Sequence, residues 1–159
     1  MYARPPPPWI ALGGGALAIG GRPGKRSYPG LEQTGCTDVL CLLSDEEGAP
    51  SLREQADARG FTWHHLPLRR GDPPARERDE AIRAQLSALV ELVRGGARLY
   101  IHCAAGLHRT GMITAALLLL ADGAKIDLEA RIRALRPETA DALRADRVAW
   151  AYRVAQLGR

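Results

Sequence analysis

The sequence predicts an α/β domain with a central, mostly parallel sheet and helices on both faces. Three observations carry this. Apolar runs of strand length alternate along the chain with segments of helical spacing. The runs at 39–43 and 99–101 are continuously apolar, as strands covered on both faces are. The stretch 99–111 passes from such a run through a polar, glycine-bearing turn into an apolar run of helical length at 112–121.

Taken in order, residues 1–8, with prolines at positions 5 to 8, read as a flexible, polyproline-like arm. Residues 9–159 read as a single domain. The first strand lies within 9–19, centred on Leu17, Ala18 and Ile19. Gly20-Gly21-Arg22-Pro23-Gly24 is a turn by composition. A helical turn at 31–34 stops at Gly35, and a strand follows at 37–43. The acidic run Ser44-Asp45-Glu46-Glu47-Gly48 leaves the carboxyl end of that strand, the edge where open α/β sheets bind ligands. On its own it also reads as a solvated loop or helix cap. A helix at 52–59 closes at Gly60, and 61–68 is the next strand.

Residues 79–95 form a long amphipathic helix, with Ile82, Leu86, Leu89, Val90 and Val93 at helical spacing. Asp79 and Glu80 near its start and Arg94 near its end suit the helix dipole. Residues 99–102 are the central strand. Residues 112–120 are apolar nearly all round, which marks the core helix. Helices at 128–135 and 142–157 finish the chain, separated near Pro137. There is no internal repeat.

A chain of 159 residues is one domain by size and long enough to bury about two thirds of its unfolded surface. Net charge is +4, carried overwhelmingly by arginine. That excess suits a phosphorylated partner, protein or small molecule, and is too diffuse to argue for specific nucleic-acid binding. No run reaches the roughly 18 apolar residues of a membrane span. The start lacks the basic region and cleavage site of a signal peptide. The expected location is cytoplasmic. Cys36, Cys41 and Cys103 form no disulfide framework.

The chemistry concentrates at 99–111. Cys103 opens the loop and Arg109 closes it, with Ala104, Ala105, Gly106, Leu107 and His108 between. A helix N-terminus and a nearby arginine favour a thiolate. The arginine fork grips two oxygens of a phosphate at once. The loop N–H groups from Ala104 to Arg109 face an oxyanion as the helix begins. Gly106 supplies the turn. Thr110 is placed to donate its hydroxyl to Cys103, or is a plain helix-start threonine. His108 either adds charge to the pocket rim or is simply exposed. Loop and arginine together neutralise a phosphate, so this reading needs no metal and no other cofactor.

His102-Cys103, five residues, then Arg109-Thr110 resembles the signature loop of the cysteine-dependent protein tyrosine phosphatase superfamily. The order and spacing from about Leu17 to Tyr152 are most similar to its small, atypical dual-specificity branch, which includes the cyclin-dependent-kinase-associated phosphatase. The resemblance implies the phosphatase fold, with a phosphocysteine formed on Cys103 and the phosphoryl group held by Arg109. It implies that His102 bonds the loop backbone in a supporting role, and that an acid of the 44–48 run holds the site arginine. It also implies a general acid on the loop after the strand before the long helix. Here that loop reads Leu66-Pro67-Leu68-Arg69-Arg70-Gly71-Asp72-Pro73-Pro74. Asp72 is the candidate acid, although the usual aspartate position falls on Arg70; a helix cap before Pro73 is the other reading of Asp72. Glu77 and Asp79 are the fallback acids. Arg69 and Arg70 would recruit anionic substrate or sit solvated. A glutamine common in the last long helix of relatives is absent, and Ala145 takes roughly its place. Cys41 is a buried structural thiol or a redox partner for Cys103.

The implied activity is hydrolysis of phosphomonoesters, with protein phosphotyrosine foremost and phosphoserine and phosphothreonine accepted. The alternatives are a phosphoinositide, a nucleotide or an RNA 5′-triphosphate, or a module that binds phosphate without turnover.

Overall fold

The structure is a computed structural model that describes residues 3–158. Met1 and Tyr2 of the expected arm, and Arg159 at the end of the expected domain, lie outside the described residues. In chain order the elements are β1 (Ile10–Leu12), β2 (Gly15–Gly20), α1 (Tyr28–Gln33), β3 (Asp38–Cys41), α2 (Ala49–Ala58), β4 (Thr62–His65), α3 (Asp79–Arg94), β5 (Arg98–His102), α4 (His108–Asp122), α5 (Leu128–Leu135), α6 (Pro137–Asp141) and α7 (Ala145–Ala155).

Five strands form one sheet in the order β1-β2-β5-β3-β4. Only β1 runs antiparallel to its neighbour. The single strand expected at 9–19 is therefore a hairpin, and its first arm forms the sheet edge. The reason is Gly13-Gly14: Gly13 sits at φ +58, and a side chain there would press on Arg94. The strands at 37–43 and 61–68 are shorter than expected. Leu42, Leu66 and Leu68 still donate backbone hydrogen bonds to His102, Cys41 and Leu42.

Side chains alternate between the two faces, as strand geometry requires. Leu17, Ile19, Leu40, Leu99 and Ile101 join the main core with α3, α4, α5 and α7. Ala18, Val39 and Tyr100 face the opposite way, toward Tyr28 and Leu31 of α1, Ala56 of α2, and Phe61. Helix α4 is buried from Arg109 to Leu119. Each large aliphatic side chain so buried contributes about 1.5–3 kcal/mol, which makes α4 a stiff support for whatever stands at its N-terminus. Pro137 at the first position of α6 starts a short helix where the sequence predicts only a break, and α7 begins at Ala145 rather than 142.

The parallel strands β2, β5, β3 and β4 all end at one edge of the sheet. The segments 21–27, 103–107, 42–48 and 66–75 leave from that edge, as ligand-binding segments of open α/β sheets do. Near the start of the chain, the Arg4 amide donates to the Arg26 carbonyl at 2.8 Å, and Pro6 lies against Gly30.

Candidate active site

Strand β5 delivers Cys103 to the sheet edge, where it is 3% exposed. The loop that follows is fixed by its carbonyls. His102 Nδ1–H donates to the Cys103 carbonyl at 3.1 Å. The Arg22 amide donates to the Ala104 carbonyl at 2.9 Å. Arg136 Nη1 reaches the carbonyls of Ala105 and Gly106, both at 2.9 Å, and Thr139 Oγ1 donates to Gly106 at 2.6 Å. Four successive carbonyls are thus held from outside the loop. In a planar trans peptide the following N–H points the opposite way, so the amides of Ala104, Ala105, Gly106 and Leu107 turn toward the cup above Cys103. Gly106, at φ +72, is the residue that allows this: a Cβ there would overlap the Gly20 backbone.

Thr110, fully buried in the first turn of α4, donates its hydroxyl to Cys103 Sγ at 3.0 Å. A hydroxyl donated to sulfur favours a thiolate over a thiol. His102 is fully buried, and burial pushes its pKa down to about 4. It is therefore a neutral donor near pH 7 and not a proton acceptor for the loop.

Arg109 is buried and gripped end-on. Its Nη1 donates to Glu47 Oε1 at 2.8 Å and to the Leu68 carbonyl at 3.0 Å, and its Nη2 donates to Glu47 Oε2 at 3.0 Å. Of its five N–H groups these use three. Nε–H and the second Nη2–H are left, side by side on one edge, which is the spacing of two phosphate oxygens. Glu47 is in turn fixed by Ser44, whose amide and hydroxyl both donate to Oε1 at 3.2 Å. Its hydrogen bonds to Arg109 hold the Glu47 carboxyl down at about 2. The acidic run after β3 therefore serves both as helix cap and as partner of the site arginine. Asp45 and Glu46 beside it are exposed.

A cavity of about 280 Å³ opens above Cys103, lined by Ala104, Ala105, Leu107, His108 and Arg109 and roofed by Arg70 and Gly71. His108 is exposed at its rim. Arg70 also stands 3.5 Å from Glu47 Oε2. Asp72 is exposed and lines a separate cleft with Arg69, Arg70, Pro73, Pro74 and Arg78. The two sides are divided at Gly71, which takes φ +97 and has open space around its Cα. The Gly71 carbonyl accepts from Nη2 of Arg147, a buried residue of α7. Cys41 faces the same core as Cys103 and pairs opposite His102 in the sheet. Burial raises the Cys41 thiol and pushes Cys36 up to about 12, and all three cysteines are unpaired.

The profile of the family described as "Tc-R-P: Polymorphic toxin system, DSP-PTPase phosphatase" matches residues 14–124, the span from the hairpin through α4. The chain belongs to this family. It is a cysteine-dependent phosphatase of the dual-specificity type. The phosphatase shares its fold with solved structures of low identity. Tk-PTP, in a G95A mutant form, superposes with a TM-score of 0.71 at 24% identity, covering 92% of this chain and 93% of the other. Kinase-associated phosphatase gives 0.70 at 19% identity, with 94% of each chain covered. The core catalytic domain of the PP-IP phosphatase SIW14 from S. cerevisiae gives 0.64 at 16%, covering 94% and 86%. A search of curated proteins found no match.

The structure brings Cys103, Arg109, Thr110 and the loop residues together and leaves Arg69, exposed, in the neighbouring cleft. The sequence reading missed Arg136, Thr139 and Arg147. The tetrapeptide Arg136-Pro137-Glu138-Thr139 reads as a helix break. Nothing in its spacing says that two of its side chains hold the loop 30 or more residues upstream. Among the described residues no helix is long and apolar enough to cross a membrane.

Proposed function

We propose that the phosphatase hydrolyses phosphomonoesters on Cys103, with protein phosphotyrosine the principal substrate and phosphoserine and phosphothreonine accepted. The observation that carries the reading is the pairing of a thiol bonded to Thr110 with an arginine that lines the same cavity. The Cys103 thiolate attacks phosphorus, an S–P bond forms and the P–O bond to the leaving group breaks. Loop amides and Arg109 hold the three charged oxygens as the bonds change. Asp72 supplies the proton to the departing oxygen, reaching it by rotation of the loop about Gly71. Water then attacks the phosphocysteine, giving its proton to the Asp72 carboxylate; the S–P bond breaks, inorganic phosphate leaves, and the thiolate is restored with help from Thr110. The reactive thiolate fits a reducing, cytoplasmic setting. In this reading residues 9–159 are one catalytic domain behind an arm at 1–8.

A second reading is favoured by one observation: Arg70, and not Asp72, borders the cavity above Cys103. A phosphoanhydride leaving group departs as a phosphate anion and needs no proton, and Arg70 would neutralise it. Nucleotides and RNA 5′-triphosphates fall in this class, and a phosphoinositide would use the same arginine for an additional phosphate. Turnover of a phosphotyrosine peptide, a phosphoserine peptide and a nucleoside triphosphate by wild type and Cys103→Ser separates the readings. Preference for the phosphotyrosine peptide, abolished in Cys103→Ser, is the expected result. Preference for the triphosphate supports the second reading, and equal turnover by both proteins overturns both.

A further inference from the structure

Among the described residues the buried side chains of the charged types are Asp38, Asp79, Arg109 and Arg147. The first three have an ionisable partner. Asp38 meets His64 at 2.8 Å, Asp79 pairs with Arg153 at 2.9 Å, and Arg109 pairs with Glu47 at 2.8 Å. Arg147, in the first turn of α7 and 4% exposed, has no carboxylate partner among the described residues. Its Nη2 donates to the Gly71 carbonyl, and its Nη1 is buried with no partner. A guanidinium stays protonated wherever it is placed, and burying it without a counter-charge is costly. The group set against this charge is a backbone carbonyl of the loop over Cys103.

That loop has little else to hold it. The Leu68 amide bonds the Leu42 carbonyl on one side, and the Arg78 amide bonds the Ala75 carbonyl on the other. Between them, at 69–74, the bond from Arg147 is the only hydrogen bond to the backbone among the described residues. It falls where the loop changes sides. Arg70 and Gly71 border the cavity over Cys103, whereas Asp72 lines the cleft outside it. Gly71 takes φ +97 with open space around it, so the chain turns there without obstruction. The peptide joining Gly71 to Asp72 is planar, so a held carbonyl also fixes the direction of the Asp72 amide. Arg70 and Asp72 then swing about a fixed point. A charged donor makes a hydrogen bond about twice as strong as a neutral one, which suits a lone anchor. We infer that Arg147 is a positioning residue for the leaving-group step: it pins the 71–72 peptide and so sets where Arg70 and Asp72 stand relative to the bond that breaks. This rests on the proposed reaction at Cys103, with Asp72 serving an ester and Arg70 serving an anhydride.

The test compares the full wild-type chain with Arg147→Met, which keeps the bulk and removes the donors, and Arg147→Lys, which keeps a charged donor. Turnover is measured on phenyl phosphate and on p-nitrophenyl phosphate, whose activated leaving group departs without a proton. A loss of folded protein scales both substrates equally and leaves their ratio unmoved. The kcat ratio, activated over unactivated, should rise about tenfold or more in Arg147→Met and less in Arg147→Lys. Asp72→Asn should raise the same ratio, and Asp72→Asn/Arg147→Met should raise it no further. A fully additive rise in the double variant separates Arg147 from the acid and overturns the inference. A raised ratio in Asp72→Asn with an unchanged one in Arg147→Met also overturns it, and leaves the Asp72 reading standing. If Asp72→Asn leaves the ratio unchanged, the Asp72 reading fails, and turnover of a nucleoside triphosphate relative to p-nitrophenyl phosphate takes its place. There Arg147→Met should fall about tenfold, as Arg70→Gln does, and an unchanged value overturns the inference. In parallel, amide hydrogen exchange across 69–74 is followed by mass spectrometry. Faster exchange in Arg147→Met is expected, and equal exchange in both proteins overturns the inference. If wild type turns over no substrate, the phosphatase reading fails, and the exchange alone decides whether Arg147 pins the loop.

Discussion

Replacing Glu47 by glutamine keeps the shape of the side chain and removes the charge that holds Arg109. The native carboxylate accepts from Nη1 at 2.8 Å and Nη2 at 3.0 Å of an arginine that is 5% exposed. A glutamine oxygen preserves one of these bonds, while its amide turns a donor toward the other guanidinium nitrogen. Removing one partner of a buried ion pair costs about 3–5 kcal/mol. Glu47 keeps 19% of its side-chain surface in water, so the lower end, about 3 kcal/mol, applies. Expressed in the phosphoryl clamp, that is a fall of ~10² in kcat/KM. Steady-state kinetics on p-nitrophenyl phosphate and thermal unfolding at pH 7 read the two consequences. The pH arm has a definite sign. The Glu47 carboxyl titrates at about 2 in the fold against an ordinary 4.5, so between those values the unfolded chain binds more protons. Its contribution is complete above about pH 4.5 and drains away as pH falls toward 2. Glu47→Gln should lose that part of the acid slope. Wild-type kcat/KM and wild-type Tm in Glu47→Gln would refute the view that Glu47 aims Arg109.

Asp72→Asn should lower turnover of aryl phosphates with poor leaving groups by about 10²-fold and barely affect an activated phenol. Equal, small losses on both would leave Asp72 structural. Thr110→Val deletes one hydrogen bond to the leaving thiolate, and phosphocysteine breakdown should slow by about tenfold or more. Rapid-quench kinetics would then show a larger burst, and an unchanged burst would remove Thr110 from the second step. His102, held neutral with a pKa lowered to about 4, binds no proton in the fold while the unfolded chain takes one up below about 6.5. Stability should therefore fall as pH drops from about 6.5 to 4 and level off from this source below it. Denaturant titrations of His102→Asn across that window should be flatter, and an identical slope in both proteins would contradict the assignment.

Much of this was legible in the chain because local chemistry and tertiary role coincide. Leu99 to Gly111 must be strand, turn and helix start to place any thiol beside any arginine, and the apolar run from Met112 needs burial all round. The acidic run after β3 was legible as a partner or a cap, and Glu47 serves as both. What escaped notice depends on three-dimensional closure. The hairpin at Gly13 looked like one interrupted strand, because two glycines weaken a strand signal without fixing a turn. Arg136 and Thr139 secure the 103–107 loop from the start of a five-residue helix too short to leave a periodic trace. Arg147 reads as one more surface arginine of α7, yet it is buried against Gly71. Asp72 and Arg70 are two residues apart, and spacing alone does not say which of them faces the cup.

In the proposed reaction the phosphoryl group passes through Cys103. Wild type mixed with excess phosphotyrosine peptide, quenched in acid within milliseconds and mapped by mass spectrometry, tests it directly. A phosphoryl group on the peptide containing Cys103, accumulating in the burst and absent from Cys103→Ser, is the expected result. Turnover without a phosphocysteine at any quench time, or with the phosphoryl group on another residue, would contradict it.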